Sequence, residues 1–377
     1  KHLLKVMKNI ASIKDCFGCG VCATICNKGI INISLNKEGF YTPTITDSYK
    51  CTNCGLCLKV CAYYNSETSF IHNTPLKSYA AWSKNLKTRM QCSSGGIGFE
   101  IAKNLFLHGY QVYAVKYNTK TNRAEHYLAE SLKSLYLSIG SKYIQSYTVD
   151  AFKTINKKEK NLIIGTPCQI ESIRRYCNIY KIEQNFILID FFCHGVPSMW
   201  AWNRYVKYIK RKTGTFTQVS WRNKSTGWQD SWNMYIEGEK GIYTSRATQG
   251  DLFYQLFFRN ACLGKACYSH CKYKYNHSAA DIRIGDLWGK TYNTNREGVS
   301  SLIIFSQKGL NIINELTNDI KLTEHPFTIV AEGQIQHKLS EPTFIRKLII
   351  TLLKMPLFPL KGIIIIMKIL LKIKRIQ

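Results

Sequence analysis

Two runs of cysteine raise the question of chemistry first. Cys16, Cys19, Cys22 and Cys26 are separated by two, two and three residues, and Cys51, Cys54, Cys57 and Cys61 repeat that spacing 35 positions later. Gly20 and Gly55 follow the second cysteine of each run, so the segment is an internal duplication. Thiolates two residues apart in a tight turn reach three corners of one cubane, and a helical turn then carries the fourth cysteine to the other cubane. The spacing therefore predicts two [4Fe–4S] clusters. Cys16, Cys19, Cys22 and Cys61 would hold one, and Cys51, Cys54, Cys57 and Cys26 the other. A pair of zinc knuckles is the plainer alternative, but zinc uses two CxxC pairs per ion and leaves the remaining cysteines without a role. Asn27 and Ala62 stand where the bacterial ferredoxin run has proline.

Two more cysteines stand where α/β architecture places ligands. Asn161–Ile164 reads as a buried strand ending in Gly165-Thr166-Pro167-Cys168-Gln169, with a helix from Ile170. Phe186–Phe192 reads as the next strand, ending in Cys193-His194-Gly195, with a helix starting near Ser198. Ligands gather at the C-terminal edge of parallel strands, so Cys168 and Cys193 converge if these strands are neighbours. Cys267 and Cys271 could complete a third [4Fe–4S] site, with Cys262 and His270 as spare ligands; the alternative is buried thiols acting as small core residues. A further motif, Cys92-Ser93-Ser94-Gly95-Gly96, opens the helical pattern Phe99–His108 after a strand at Ser78–Trp82. Such a loop can bind an anion through free N–H groups, or can simply cap a helix.

These residues need a scaffold. At 377 residues the chain accommodates two or three domains, and 45% hydrophobic residues exclude wholesale disorder. We expect an α+β organisation: a small ferredoxin-like two-cluster domain at 1–72, then a larger α/β domain at 76–340 with a mostly parallel or mixed sheet. A polar hinge, Asn65–Lys77, joins them. A basic amphipathic tail occupies 341–377. No secretory signal and no uncharged stretch of spanning length is found, which points to a cytoplasmic protein with reduced thiols.

The motifs CSSGG, GTPCQIESIRRY, DFFCHGVPS, WRNKSTGW, CYSHCKY and ADIRIGDLWG, following a ferredoxin repeat, resemble in order the beta-subunit family of coenzyme F-420 hydrogenases and dehydrogenases across roughly residues 10–300. The resemblance implies an iron–sulfur flavoprotein oxidoreductase. Its relatives reduce a deazaflavin coenzyme, carry out chlorophyll-type reductions, or serve surface-polysaccharide biosynthesis. It implies FAD or FMN on Ser93, Ser94, Gly95 and Gly96, with Thr166, Pro167, Cys168 and Gln169 as the next wall and Cys193 with His194 as another. Arg222 and Lys224 would supply positive charge to an anionic cofactor or substrate, and Asp286 a proton or a ribityl contact. Cys193, His194 and Asp286 are the catalytic candidates. Cys267 and Cys271 match the family's late cysteine pair, with three intervening residues here instead of two. The implied partners are a redox protein or reduced cofactor and an organic, anionic substrate; the alternative function is a non-catalytic electron-transfer subunit.

The net charge of +28 admits nucleic acid, anionic membrane or anionic substrate. No helix-turn-helix or RNA-binding signature accompanies it, so a nucleic-acid partner is not expected. Much of the charge sits in 344–377, where no acidic residue follows Glu341 and Pro356 and Pro359 divide two helical pieces. That tail suits either peripheral contact with the inner face of a membrane or packing on the core with snorkelling lysines.

Overall fold

A computed structural model describes residues 9–66 and 70–376. Residues 1–8, most of the basic opening segment, and Thr68 of the hinge lie outside the described residues. Each cysteine run folds as predicted into a tight turn followed by a short helix, Val21–Ile25 and Leu56–Lys59. Both helices start from a left-handed glycine, Gly20 at φ 76° and Gly55 at φ 74°. A side chain would strain that conformation, which explains why both copies carry glycine there. A hairpin of Ile31–Leu35 and Tyr41–Ile45 separates the two copies.

The larger body is built on a nine-stranded mixed sheet. Its centre is parallel: Gln111–Asn118, Asn161–Ile164, Phe186–Phe191 and Ile282–Asp286 run side by side in one direction. Asn161–Ile164 and Phe186–Phe191 read as near-continuous apolar runs and are almost wholly buried, as expected of central parallel strands. Antiparallel strands flank it: Ser300–Ile304, Lys77–Ser83 and Ile320–Glu324 on one side, Arg123–Ala129 on the other. A separate three-stranded sheet, Phe216–Ser220, Asn233–Gly238 and Gly241–Arg246, packs beside the helix Met199–Thr213.

The region around the hinge is fixed to the body. His72 exchanges both backbone hydrogen bonds with Ser278, at 2.7 and 3.0 Å, and Leu76 N–H donates to Ile304 at 2.8 Å. The cysteine-rich region is fastened just as firmly. Gln145 bridges Tyr41 N–H and Phe17 C=O, Thr148 Oγ1 donates to Cys19 C=O at 2.9 Å, and Arg346 pairs with Glu38 at 2.6 Å.

One side of the tail packs on the core, as expected of a helix with snorkelling lysines. Thr343–Lys354 and Leu360–Ile376 are helices broken at Pro356 and Pro359, and Ile345, Ile349, Leu353, Leu360, Ile363 and Met367 bury into the same apolar cluster as Trp202, Tyr205 and Phe257. Among the described residues no helix is long and apolar enough to cross a membrane.

Candidate functional site

The chemistry-bearing loops meet at the C-terminal edge of the parallel strands. Asn161–Ile164 and Phe186–Phe191 are hydrogen-bonded neighbours, so the loops carrying Cys168 and Cys193 lie side by side. Cys168 opens the helix Pro167–Tyr180, whose start is fixed by Gln169 accepting from Thr166 N–H at 2.8 Å. Cys267 sits on the short helix Lys265–Ser269, and Cys271 follows its cap, His270. Cys168, Cys193, Cys267 and Cys271 line one small cavity, which Cys16 of the first cysteine run also touches. Burial, and after it the neighbouring thiols, raises Cys168; burial and Cys193 raise Cys267 to about 12. Lys274 lies against this set, donating to the Cys193 and His194 carbonyls at 2.5 and 3.0 Å.

Beside that cavity opens a larger one of about 470 Å³, within the range of cofactor sites. Both cavities share Thr166, Gln169, Cys193, Tyr273 and Lys274 as walls. The larger is lined by Ser93, Ser94 and Gly96 at the start of the helix Ile97–Leu107, and by Lys142, Trp232, Phe257, Asp286 and Trp288. It therefore joins a glycine-rich loop at a helix start, aromatic faces and a few polar groups, as cofactor and substrate cavities do.

Not every expected residue faces that cavity. Gly95 packs against the sheet: a Cβ there would stand 2.4 Å from Ala81 O and 2.8 Å from Ser300 N. Pro167 faces the small cysteine-lined cavity instead. Arg222 and Lys224 do not supply free positive charge, a correction to the sequence expectation. Arg222 is buried, makes a bidentate pair with Asp286 at 2.8 and 2.9 Å, and lies against both the Trp232 and Trp288 rings. Asp286 accordingly lines the cavity as a carboxylate already held by Arg222 and by Trp228 Nε1 at 2.8 Å. Lys224 Nζ donates to the Arg89, Ser94 and Glu297 carbonyls, so it braces the Ser93–Gly96 loop from behind. His194 lines the cavity but is engaged by Asn260 at 2.5 Å and packs at a tilt against Phe257. Burial lowers its pKa, which favours the neutral ring.

Sequence reasoning missed Lys142, Trp232, Phe257, Lys274 and Trp288. Lys274, three residues beyond Cys271, was the legible one, because a cation beside several thiolates offsets their charge. Lys142 is pushed down to about 7 by burial, while Nζ donates to the Leu137, Ser138 and Ile139 carbonyls.

Of the N-terminal cysteines, the first expected set is brought together. Burial and then Cys19 raise both Cys16 and Cys22, with Cys61 contributing to each, and burial raises Cys61 to about 12. Cys16, Cys19, Cys22 and Cys61 thus share one neighbourhood, against the large body. Cys54 of the other set is exposed. Among the described residues no three His, Cys, Asp or Glu side chains are gathered tightly enough for a single metal ion. Cys92, Cys177 and Cys262 join none of these sets and are buried in apolar clusters.

Residues 15–65 match the model of the 4Fe-4S dicluster domain, and residues 158–329 match the model of the C terminus of the coenzyme F420 hydrogenase/dehydrogenase beta subunit. No curated protein matches the chain. Among solved structures, a chain of the F420-reducing [NiFe] hydrogenase complex from Methanosarcina barkeri, studied by xenon derivatization, is 14% identical at a TM-score of 0.49, over 75% of this chain and 89% of that one. The protein therefore joins a 4Fe-4S dicluster domain to the C-terminal domain of coenzyme F420 hydrogenase/dehydrogenase beta subunits, and is an iron–sulfur electron-transfer protein related to that family.

Proposed function

We propose that the chain is an iron–sulfur flavoprotein oxidoreductase acting on an organic substrate in the 470 Å³ cavity. The observation that carries this reading is the succession of cysteine sets. Cys54 of the set Cys51, Cys54, Cys57 and Cys26 is exposed, Cys16, Cys19, Cys22 and Cys61 lie against the body, and Cys168, Cys193, Cys267 and Cys271 adjoin the cavity. Cubanes suit these donors better than single ions do, since a cubane spaces its four thiolates more widely than one zinc atom allows. Bound there, [4Fe–4S] clusters would relay single electrons and FAD or FMN would convert them to two-electron chemistry.

The residues' own tasks follow from their placement. Exposed Cys54 puts the outermost set within reach of a redox protein. Ser93, Ser94 and Gly96 present N–H groups toward an anionic cofactor, braced by Lys224. Asp286 is held and oriented by the Arg222 guanidinium at the cavity wall, where its oxygens can accept hydrogen bonds from whatever occupies the cavity. Lys274 offsets the charge of the Cys193 neighbourhood.

The test is anaerobic purification with iron, sulfide and flavin quantified together, followed by EPR of the reduced protein. We expect iron and sulfide in equal amounts and one flavin per chain that bleaches with dithionite. Protein that carries its iron but neither retains nor takes up flavin would refute the flavin part and leave a pure electron-transfer subunit.

A further inference from the structure

We propose that the face formed by the helix Met199–Thr213 and the two C-terminal helices docks on an anionic lipid surface. The inner sides of these helices are buried, so what they show outward is a fixed surface. On Leu360–Ile376 the outward side carries Ile365, Ile369 and Ile373, four residues apart and 56, 54 and 49% exposed. Lys361, Lys368 and Lys372 are exposed along the same helix. In the turn before it Leu357 is 96% exposed between Pro356 and Pro359. Arg204 holds that turn by donating to the Pro356 and Phe358 carbonyls. From Arg204 the helix face continues through exposed Lys207 and Arg211, which with Lys210 line a shallow surface groove.

Charge decides the occupant. Met199–Thr213 contains five cations and no acid, and no acid follows Glu341. Isoleucines spaced singly between lysines suit a planar layer, where apolar side chains enter the acyl boundary and lysines extend to the headgroups. Basic residues beside an anionic leaflet add attraction that decays within a Debye length. The contact is peripheral, because no described helix can span a bilayer. This inference does not depend on the redox reading.

The test is co-sedimentation of the full chain with vesicles of phosphatidylcholine alone or with about 30% phosphatidylserine, at about 100 mM salt. We expect binding only to the anionic vesicles, about tenfold weaker for Leu357→Asp and for Lys207→Glu/Arg211→Glu, with iron content and melting temperature unchanged. Duplex and single-stranded DNA probes serve as a second anion. Failure of the full chain to bind anionic vesicles would overturn the proposal. So would full retention of binding by Leu357→Asp, or DNA binding as tight as vesicle binding, since each would reduce the face to non-specific charge.

Discussion

Asp190 and Arg283 form the central clamp of the parallel sheet, and breaking it should be costly. They are register partners on neighbouring strands, and both side chains are fully buried. Arg283 Nε and Nη2 donate to the two Asp190 oxygens, each at 2.7 Å, and Ser278 Oγ donates to the same carboxylate at 2.7 Å. Arg283 Nη1 donates to Tyr275 C=O, also at 2.7 Å, so the pair is nearly saturated. Removing one partner leaves an uncompensated buried charge and costs about 3–5 kcal/mol, whereas replacing both by apolar residues is often neutral. Asp190→Leu and Arg283→Met should each lose about 3–5 kcal/mol, a drop of about 6–10 °C at roughly 2 °C per kcal/mol. Asp190→Leu/Arg283→Met should recover most of it, so the two losses are far from additive. The assay is anaerobic thermal and guanidinium unfolding of the three variants. Single variants within about 1 kcal/mol of wild type, or a double variant as damaged as the sum, would refute the reasoning. Because Cys193 and Asp286 each lie three residues beyond the clamp, the single variants should also lose iron.

Three shorter predictions follow. Gly20→Ala should damage the protein far more than Gly55→Ala: both force a left-handed residue, but a Cβ at Gly20 would stand 2.2 Å from Thr148 Oγ1 and one at Gly55 meets nothing within 4 Å. Melting temperatures should differ by several degrees, and equal losses would contradict the docking described for the first cysteine run. Cys193→Ala should remove about four irons per chain while Cys177→Ala, in an apolar cluster, removes none; iron analysis distinguishes them. His126 is held at about 4, against an ordinary 6.5, by burial, with Nε2 on Ile164 O at 3.0 Å. The unfolded chain binds this proton below 6.5 and the folded chain only near 4, so stability falls as pH drops between those values. From pH 7 to 5 that is about 2 kcal/mol, which His126→Gln should remove from the pH dependence of guanidinium unfolding.

The sequence disclosed those parts of the fold that local chemistry dictates. The strand Asn161–Ile164 lies where its apolar run placed it, and the duplicated cysteine runs share one turn geometry because glycine must occupy a left-handed position in each. The partition of the tail followed from Pro356 and Pro359, but its docking did not. Whether a row of isoleucines faces a core or a membrane depends on the complementary surface, here from Trp202, Tyr205 and Phe257, far away in sequence. The same limit explains Arg222. A basic residue in WRNKSTGW looks available for an anion until the sheet brings Asp286, 64 residues away, against it. Lys142 and Trp288 carry no local signal either, since only tertiary folding brings them to the cavity.

The helix Pro167–Tyr180 connects two cysteine sets and supplies a last prediction. Its first turn carries Cys168, and it presents Ser172 one turn later to the other set, with Oγ 3.3 Å from Cys19 Sγ. Ala62 N–H donates to the same oxygen at 3.3 Å, so Ser172's lone pair is engaged and its proton is left for the sulfur. With Cys19 as a thiolate, that hydroxyl is a donor to a ligand sulfur. Such donors favour the more negative, reduced state and raise the potential. A hydrogen bond strengthened by some fraction of 1.4 kcal/mol on reduction corresponds to about 20–50 mV for one electron. Ser172→Ala should therefore lower one cluster potential by about 20–50 mV in an EPR-monitored redox titration, and Ser172→Thr should restore it. Iron content should stay constant across the three proteins. A potential unmoved by Ser172→Ala would mean that the helix links the two sets mechanically but does not tune the electron that passes between them.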